Sequence, residues 1–226
     1  MYKVSFVNPN FQQGPKEFNA YYLPYSVAVL WSYAIQFESI NNNFTLGDII
    51  WKRELIEDAV NRLKDSDIVG FSTYVWNHNY NKVLARELKK ANPNILLIGG
   101  GPEYPIEKSN IFEVHPIDVC VKLEGEIAFK SILEEYLNSS PNYKQISGIL
   151  INENGVAYDT GKSLRIDNLD DIPSPYLTGM FDELMKRYPD VRWNVTIETN
   201  RGCPYACTFC DWGSLTYNKE IGRAHV

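Results

Sequence analysis

The chain has 226 residues, 44% of them hydrophobic and 22% charged, the balance of a globular protein with room for one large domain or two small ones. A net charge of −6 gives no overall basic footprint for nucleic acid, and no apolar run is long enough to cross a membrane. The first residues lead straight into a strand-like segment with no signal-peptide pattern.

Tyr2-Lys3-Val4-Ser5-Phe6-Val7 reads as a first strand, broken by Asn8-Pro9-Asn10 and followed by a polar loop to Tyr22. Pro24 suits a first helical turn, and Val27, Leu30, Trp31 and Ala34 then recur at one helical face. The helix region ends at Asn41-Asn42-Asn43, and residues 43–50 hold a short second strand. Leu55, Ile56, Ala59, Val60 and Leu63 mark a second helix. Asp67 to Ser72 is a nearly uninterrupted apolar run, as in parallel strands buried on both faces. A helix carrying Tyr80, Val83, Leu84 and Leu88 stops at Asn92-Pro93, and Ile95-Leu96-Leu97-Ile98 is the next strand. A fifth strand over Ile117 to Val121 precedes a helix with Phe129, Ile132, Leu133, Tyr136 and Leu137.

Strand and helix thus alternate five times in residues 1–141, which predicts an α/β, flavodoxin-like (Rossmann-like), doubly wound parallel sheet. Such sheets bind ligands outside the carboxyl ends of their strands. Three loops lie there: Ser72-Thr73-Tyr74, Gly99-Gly100-Gly101-Pro102 and Glu124-Gly125-Glu126. The glycines allow close backbone approach or positive φ, which serves a ligand or a bare tight turn equally. Glu124 and Glu126 open a helix, where acids are favoured by the macrodipole whatever else they do.

Residues 142–185 read as a hairpin and linker. Gln145 to Asp159 alternates around Asn154-Gly155, a hairpin turn, and Leu169 to Gly179 is a Pro-rich extended connector. A short helix over residues 181–188 precedes a strand, Trp193 to Thr199. Residues 186–220 then read as the opening of another domain. The segment 221–226 looks like a translated sequencing adaptor, and the expectation is a native chain that continues beyond it.

After that strand, Cys203, Cys207 and Cys210 are spaced C-x3-C-x2-C. An odd set of three leaves one thiol over in any disulfide scheme, whereas three thiolates can ligate metal; a zinc site would need a fourth ligand. Three thiolates suit a [4Fe-4S] cluster with one iron free for another ligand. Unpaired thiols also fit a reducing, cytoplasmic location. Cys120 sits in a strand and reads as a small core hydrophobe, and His78 and His115 as surface or packing histidines.

The run Arg201 to Cys210 resembles the signature of the radical S-adenosylmethionine (SAM) enzymes, with Phe209 as the aromatic before the last cysteine. That resemblance implies a [4Fe-4S] cluster on Cys203, Cys207 and Cys210, SAM beside Phe209, and a 5′-deoxyadenosyl radical. It also implies the first strand and cluster loop of a barrel whose remainder is absent. Asp211-Trp212-Gly213 recurs in one branch of these enzymes and reads equally as a packed loop exit. Together with the segments DIVGFSTYVWN, ILLIGGGPEYP and IDVCVKLEGE, the chain resembles cobalamin-dependent radical SAM enzymes over residues 1–220. The resemblance implies cobalamin at Ser72, Tyr74, Gly99, Gly100, Gly101, Pro102, Glu124, Gly125 and Glu126. It further implies methylation of an unactivated centre in a small-molecule or peptide substrate, and an electron donor such as flavodoxin or ferredoxin. The corresponding alternatives are a corrin-free radical SAM enzyme, or a binding module without turnover. The loop Asn8 to Gly14 has no His to ligate cobalt, a departure from cobalamin domains that supply one.

Overall fold

A computed structural model describes residues 1–106, 110–203, 205, 207–209 and 221–222. The strands are β1 (Tyr2–Asn10), β2 (Ala20–Tyr22), β3 (Phe44–Lys52), β4 (Ile68–Ser72), β5 (Leu96–Gly100), β6 (Val119–Val121), β7 (Ile149–Glu153) and β8 (Val156–Asp159). Short strands β9 (Arg192–Asn194), β10 (Asn200–Arg201) and β11 (Ile221–Gly222) follow. The helices are α1 (Tyr25–Ala34), α2 (Glu38–Asn41), α3 (Ile56–Leu63), α4 (His78–Ala91), α5 (Ile111–Val114), α6 (Glu126–Tyr136) and α7 (Asp182–Arg187).

Seven strands form one sheet in the order β3-β1-β4-β5-β6-β7-β8. The first five pair in parallel, and their order is the flavodoxin-like arrangement expected from the alternation. Period-two alternation in each strand feeds a separate core on each face. Phe6, Ile68, Ile98 and Val119 face Val27, Trp31 and Phe129 of α1 and α6. Val7, Val69, Leu97 and Cys120 face Ala59, Leu63, Leu84 and Leu88 of α3 and α4. Burial pushes the Cys120 thiol up to about 12, the environment of a core hydrophobe.

Several features differ from the sequence reading, the first being that β1 runs on through Asn8-Pro9-Asn10, where a break was expected. The hairpin over 149–159 is not a separate unit: β7 pairs antiparallel with β6 and extends the main sheet. Its turn is as expected, with Asn154 and Gly155 both at positive φ (55° and 91°). The connector is packed, not free: Leu169 and Ile172 are buried with Ile166 against Val29 of α1. Finally, the strand expected over 193–199 stops at Asn194. Its partner is β2, and the ladder ends where Leu23 donates to the Asn194 carbonyl and Pro24 has no N–H to offer. At Thr196 the Tyr176 hydroxyl takes over both backbone groups, accepting from N–H at 3.0 Å and donating to the carbonyl at 2.6 Å. The strand β2 itself falls in what the sequence presents as a polar loop, because its partner lies about 170 residues away.

Candidate cofactor edge and cysteine loop

The chain leaves β1 toward β3 on one side and returns to β4 on the other, so the carboxyl ends of β1 and β4 flank the crevice where such sheets bind ligands. A polar chain crosses it. Asn8 donates to Ser26 Oγ at 2.9 Å, and Ser26 Oγ lies 2.9 Å from Ser72 Oγ. Ser72 is therefore engaged in bracing the crevice. Two buried amides shape the next loop. Asn77 accepts from Tyr74 N at 2.8 Å and donates to the Ser72 carbonyl at 3.0 Å. Asn81 donates to Thr73 Oγ1 at 2.9 Å. Sequence reasoning passed over both; their spacing of four at a helix start was the available signal. Tyr74 stacks on Trp76 at 4.6 Å with ring planes 4° apart, and Phe11 meets Trp76 edge-on at 5.8 Å. These rings make an aromatic face beside the crevice.

The three glycines at the carboxyl end of β5 serve three different ends. A Cβ on Gly99 would lie 2.6 Å from the ring of Tyr104 and from Ile117, so Gly99 makes room for the buried tyrosine. Burial raises the Tyr104 hydroxyl pKa, and the phenol hydrogen-bonds Thr73. Gly101 has φ +110°, and a Cβ there would lie 2.4 Å from the Thr73 carbonyl oxygen. Gly100 is different: the nearest atoms to a Cβ are 3.9 Å away on Val121. Among the described residues no neighbour requires glycine there. Pro102 follows on the exposed side of the loop. Ser72, Tyr74 and Gly99 to Pro102 share one rim, with Ser72 paired in register to Gly100.

Glu124, Gly125 and Glu126 form the next stretch of that rim, after β6. Gly125 fits beneath Leu30, whose Cδ2 lies 3.0 Å from where a Cβ would stand. The two acids have partners beyond the helix terminus. Arg201 donates to Glu126 Oε1 at 2.6 Å and reaches Glu124 Oε2 at 3.4 Å. It also holds Glu198 through two bonds, at 3.0 and 2.9 Å. Arg165 completes the cluster, pairing with Glu124 Oε1 at 2.9 Å and donating to the Arg201 carbonyl at 3.1 Å. Burial alone would lower the Arg201 pKa; hydrogen bonds and charge from Glu126 and Glu198 outweigh it and raise the value. Neither Arg201 nor Arg165 was singled out from sequence, although Arg201 stands two residues before the first cysteine of the motif.

The network ties Arg201, two residues before Cys203, to the rim. Cys203 is half-buried, Cys207 is exposed, and neither is disulfide-bonded. Phe209 is 90% exposed, and Cys210 lies outside the described residues, as do residues 211–220. Among the described residues no three Cys, His, Asp or Glu side chains converge as a metal set. The donor chemistry of reduced thiols nevertheless fits an iron–sulfur cluster. His78 opens α4 just after the Ser72–Tyr74 turn, with its Nδ1 3.7 Å from Glu103 Oε2, and His115 packs beside it. Their rings are 5.0 Å apart, and His115 packs edge-on against Tyr104 at 4.9 Å. Burial, then the charges of His78 and Lys82, push His115 down to about 4. A depression of about 370 Å³ between Lys89, Leu96, Asp118 and Tyr143 lies at the opposite, amino-terminal edge of β5 and β6. We favour the carboxyl edge as the site because topology, the open Gly100 backbone and the charge cluster coincide there.

A family model described as the B12 binding domain matches residues 35–133. The cobalamin-dependent radical SAM methyltransferase TokK of Streptomyces tokunonensis is 35% identical over 86% of this chain. The 2-(S-pantetheinyl)-carbapenam-3-carboxylate methyltransferase of Streptantibioticus cattleyicolor is 34% identical over the same share. This chain spans 29% of the length of each. The fold is that of the cobalamin-dependent SAM radical enzyme OxsB, solved with aqua-cobalamin and SAM bound, with a TM-score of 0.71 at 20% identity over 99% of this chain and 30% of that one. Residues 35–133 thus match a B12 binding domain, and the chain is similar in sequence to cobalamin-dependent radical SAM methyltransferases, of which it covers a part.

Proposed function

We propose that this chain forms the cobalamin-holding and cluster-initiating part of a radical SAM enzyme that methylates an unactivated carbon or phosphorus centre. The observation that carries the reading is the Arg201 cluster, which ties the residue two before Cys203 to Glu124 and Glu126 at the carboxyl edge of the sheet. When bound, a [4Fe-4S] cluster with SAM supplies a 5′-deoxyadenosyl radical, and methylcobalamin supplies a transferable methyl group. In this reading Cys203, Cys207 and Cys210 hold the cluster and Phe209 borders SAM. The bare Gly100 backbone and the Tyr74–Trp76 rings receive the corrin. Methyl transfer as the reaction class is supported by two relatives at 35% and 34% identity. The substrate is a small molecule or peptide, the electron donor is of the flavodoxin or ferredoxin kind, and the compartment is reducing, as the cytoplasm is.

We assign residues 1–141 to the corrin-binding unit, 142–185 to a bridging segment and 186–220 to the opening of the radical SAM domain. The bridge is edged by β7 and β8, which join the main sheet.

Anaerobic reconstitution with iron and sulfide tests the reading. Iron binding with a cluster absorption band is expected in the wild type, and its loss in the Cys203→Ala, Cys207→Ala, Cys210→Ala triple variant. Zinc in place of iron, or iron retained by the triple variant, would refute it.

A further inference from the structure

The segment entering the cysteine loop is gripped twice. Upstream, β9 pairs in parallel with β2, and Asn19 donates from Nδ2 to the Asp190 carbonyl at 3.0 Å. Downstream, the Arg201 guanidinium uses Nε and both terminal nitrogens on three carboxylates. Two of those, Glu124 and Glu126, belong to the corrin-domain rim, and the third, Glu198, to the incoming segment. Arg165 meanwhile takes the Arg201 carbonyl, so side chain and backbone of the same residue are fixed together. The next residue, Gly202, has φ +86° and turns the chain into Cys203.

We propose that Arg201 is a positioning residue. It fixes the start of the cysteine loop against the amino end of α6, and so sets the separation between the first thiol and the corrin edge. The inference rests on the reading of the cysteines as cluster ligands, but the contact itself does not. Only a planar fork with several fixed donors serves three carboxylates at once; a lysine offers one mobile charge. The side chains are buried enough to resist screening, with Arg201 12% and Glu126 4% exposed. Arg201 holds Glu126 through Oε1, while the second oxygen, Oε2, is buried and accepts no hydrogen bond among the described residues.

Amide hydrogen exchange on the 226-residue chain tests this, comparing wild type with Arg201→Gln and Arg201→Lys. Exchange over residues 198–203 should accelerate by more than about tenfold in Arg201→Gln, with β4 and β5 unchanged, and Arg201→Lys should fall between. After reconstitution, the EPR line shape of the reduced cluster should shift in Arg201→Gln at unchanged iron content. Unchanged exchange over 198–203, or an equal acceleration across β1, β4 and β5, would overturn the proposal. A wild type that takes up no iron would instead overturn the cluster reading, leaving the exchange result to decide the clamp.

Discussion

Arg201 and Glu126 stand 75 residues apart in sequence and 2.6 Å apart in space. The pair joins the last residue before the Gly-Cys turn to the first residue of α6, and both side chains are nearly closed to solvent. Removing one partner strands the other in a low-dielectric setting. Glu126→Gln is therefore expected to cost about 3 kcal/mol, the low end for a broken buried pair because Glu124 and Glu198 remain. Urea unfolding of the variant against wild type measures this; an unchanged midpoint and slope would contradict it.

The glycines at the carboxyl end of β5 separate packing from ligand binding. Gly101→Ala forces a side chain onto φ +110° and against the Thr73 carbonyl, and should destabilise the fold by about 1–3 kcal/mol or more. Gly100→Ala meets nothing closer than 3.9 Å and should leave stability within about 0.5 kcal/mol of wild type. Its effect should appear in cobalamin affinity, weakened by about tenfold, or roughly 1.4 kcal/mol. Thermal unfolding and corrin titration of the two variants distinguish the roles; a Gly100→Ala protein with undiminished affinity removes Gly100 from the site.

His115 makes the domain acid-sensitive. Its pKa is depressed to about 4 in the folded state, chiefly by burial, so the unfolded chain binds the proton first as pH falls. Stability is whole above about 6.5 and is lost progressively down to about 4, by roughly 2–3 kcal/mol. His115→Phe, which keeps the contact with Tyr104, should flatten that part of the pH profile. Denaturant midpoints at pH 7 and pH 4.5 provide the check, and an equal drop in both proteins would contradict the assignment.

Tyr176 holds Thr196 by both its backbone groups. Tyr176→Phe removes the two bonds and should cost about 1–2 kcal/mol locally. The readout is faster exchange of the Thr196 amide with β4 and β5 unaffected; protection equal to wild type would show the hydroxyl to be idle.

Much of the fold was legible because it obeys local rules. The five alternations, the Asn154-Gly155 turn and the helix starting after Pro24 all follow from period, turn chemistry and proline geometry. What escaped was long-range. The pairing of β2 with β9, and of β7 with β6, depends on partners that no local pattern names. The same holds at the site. Ser72, the glycines and the cysteines announce themselves by spacing, yet Glu124 and Glu126 read adequately as helix-start acids. Their tie to Arg201 emerges only when the fold brings the segments together. Asn77 and Asn81 escaped for a related reason, since a buried amide bracing a loop looks in sequence like any polar loop residue.

The most direct test of the account is a hydroxocobalamin titration of the 226-residue chain, followed by gel filtration and an absorption spectrum of the protein peak. The account predicts corrin co-eluting with protein and a spectrum without a protein nitrogen on cobalt, since the loop after β1 carries no His. Corrin that elutes apart from the protein, or a spectrum of histidine-ligated cobalt, would contradict it.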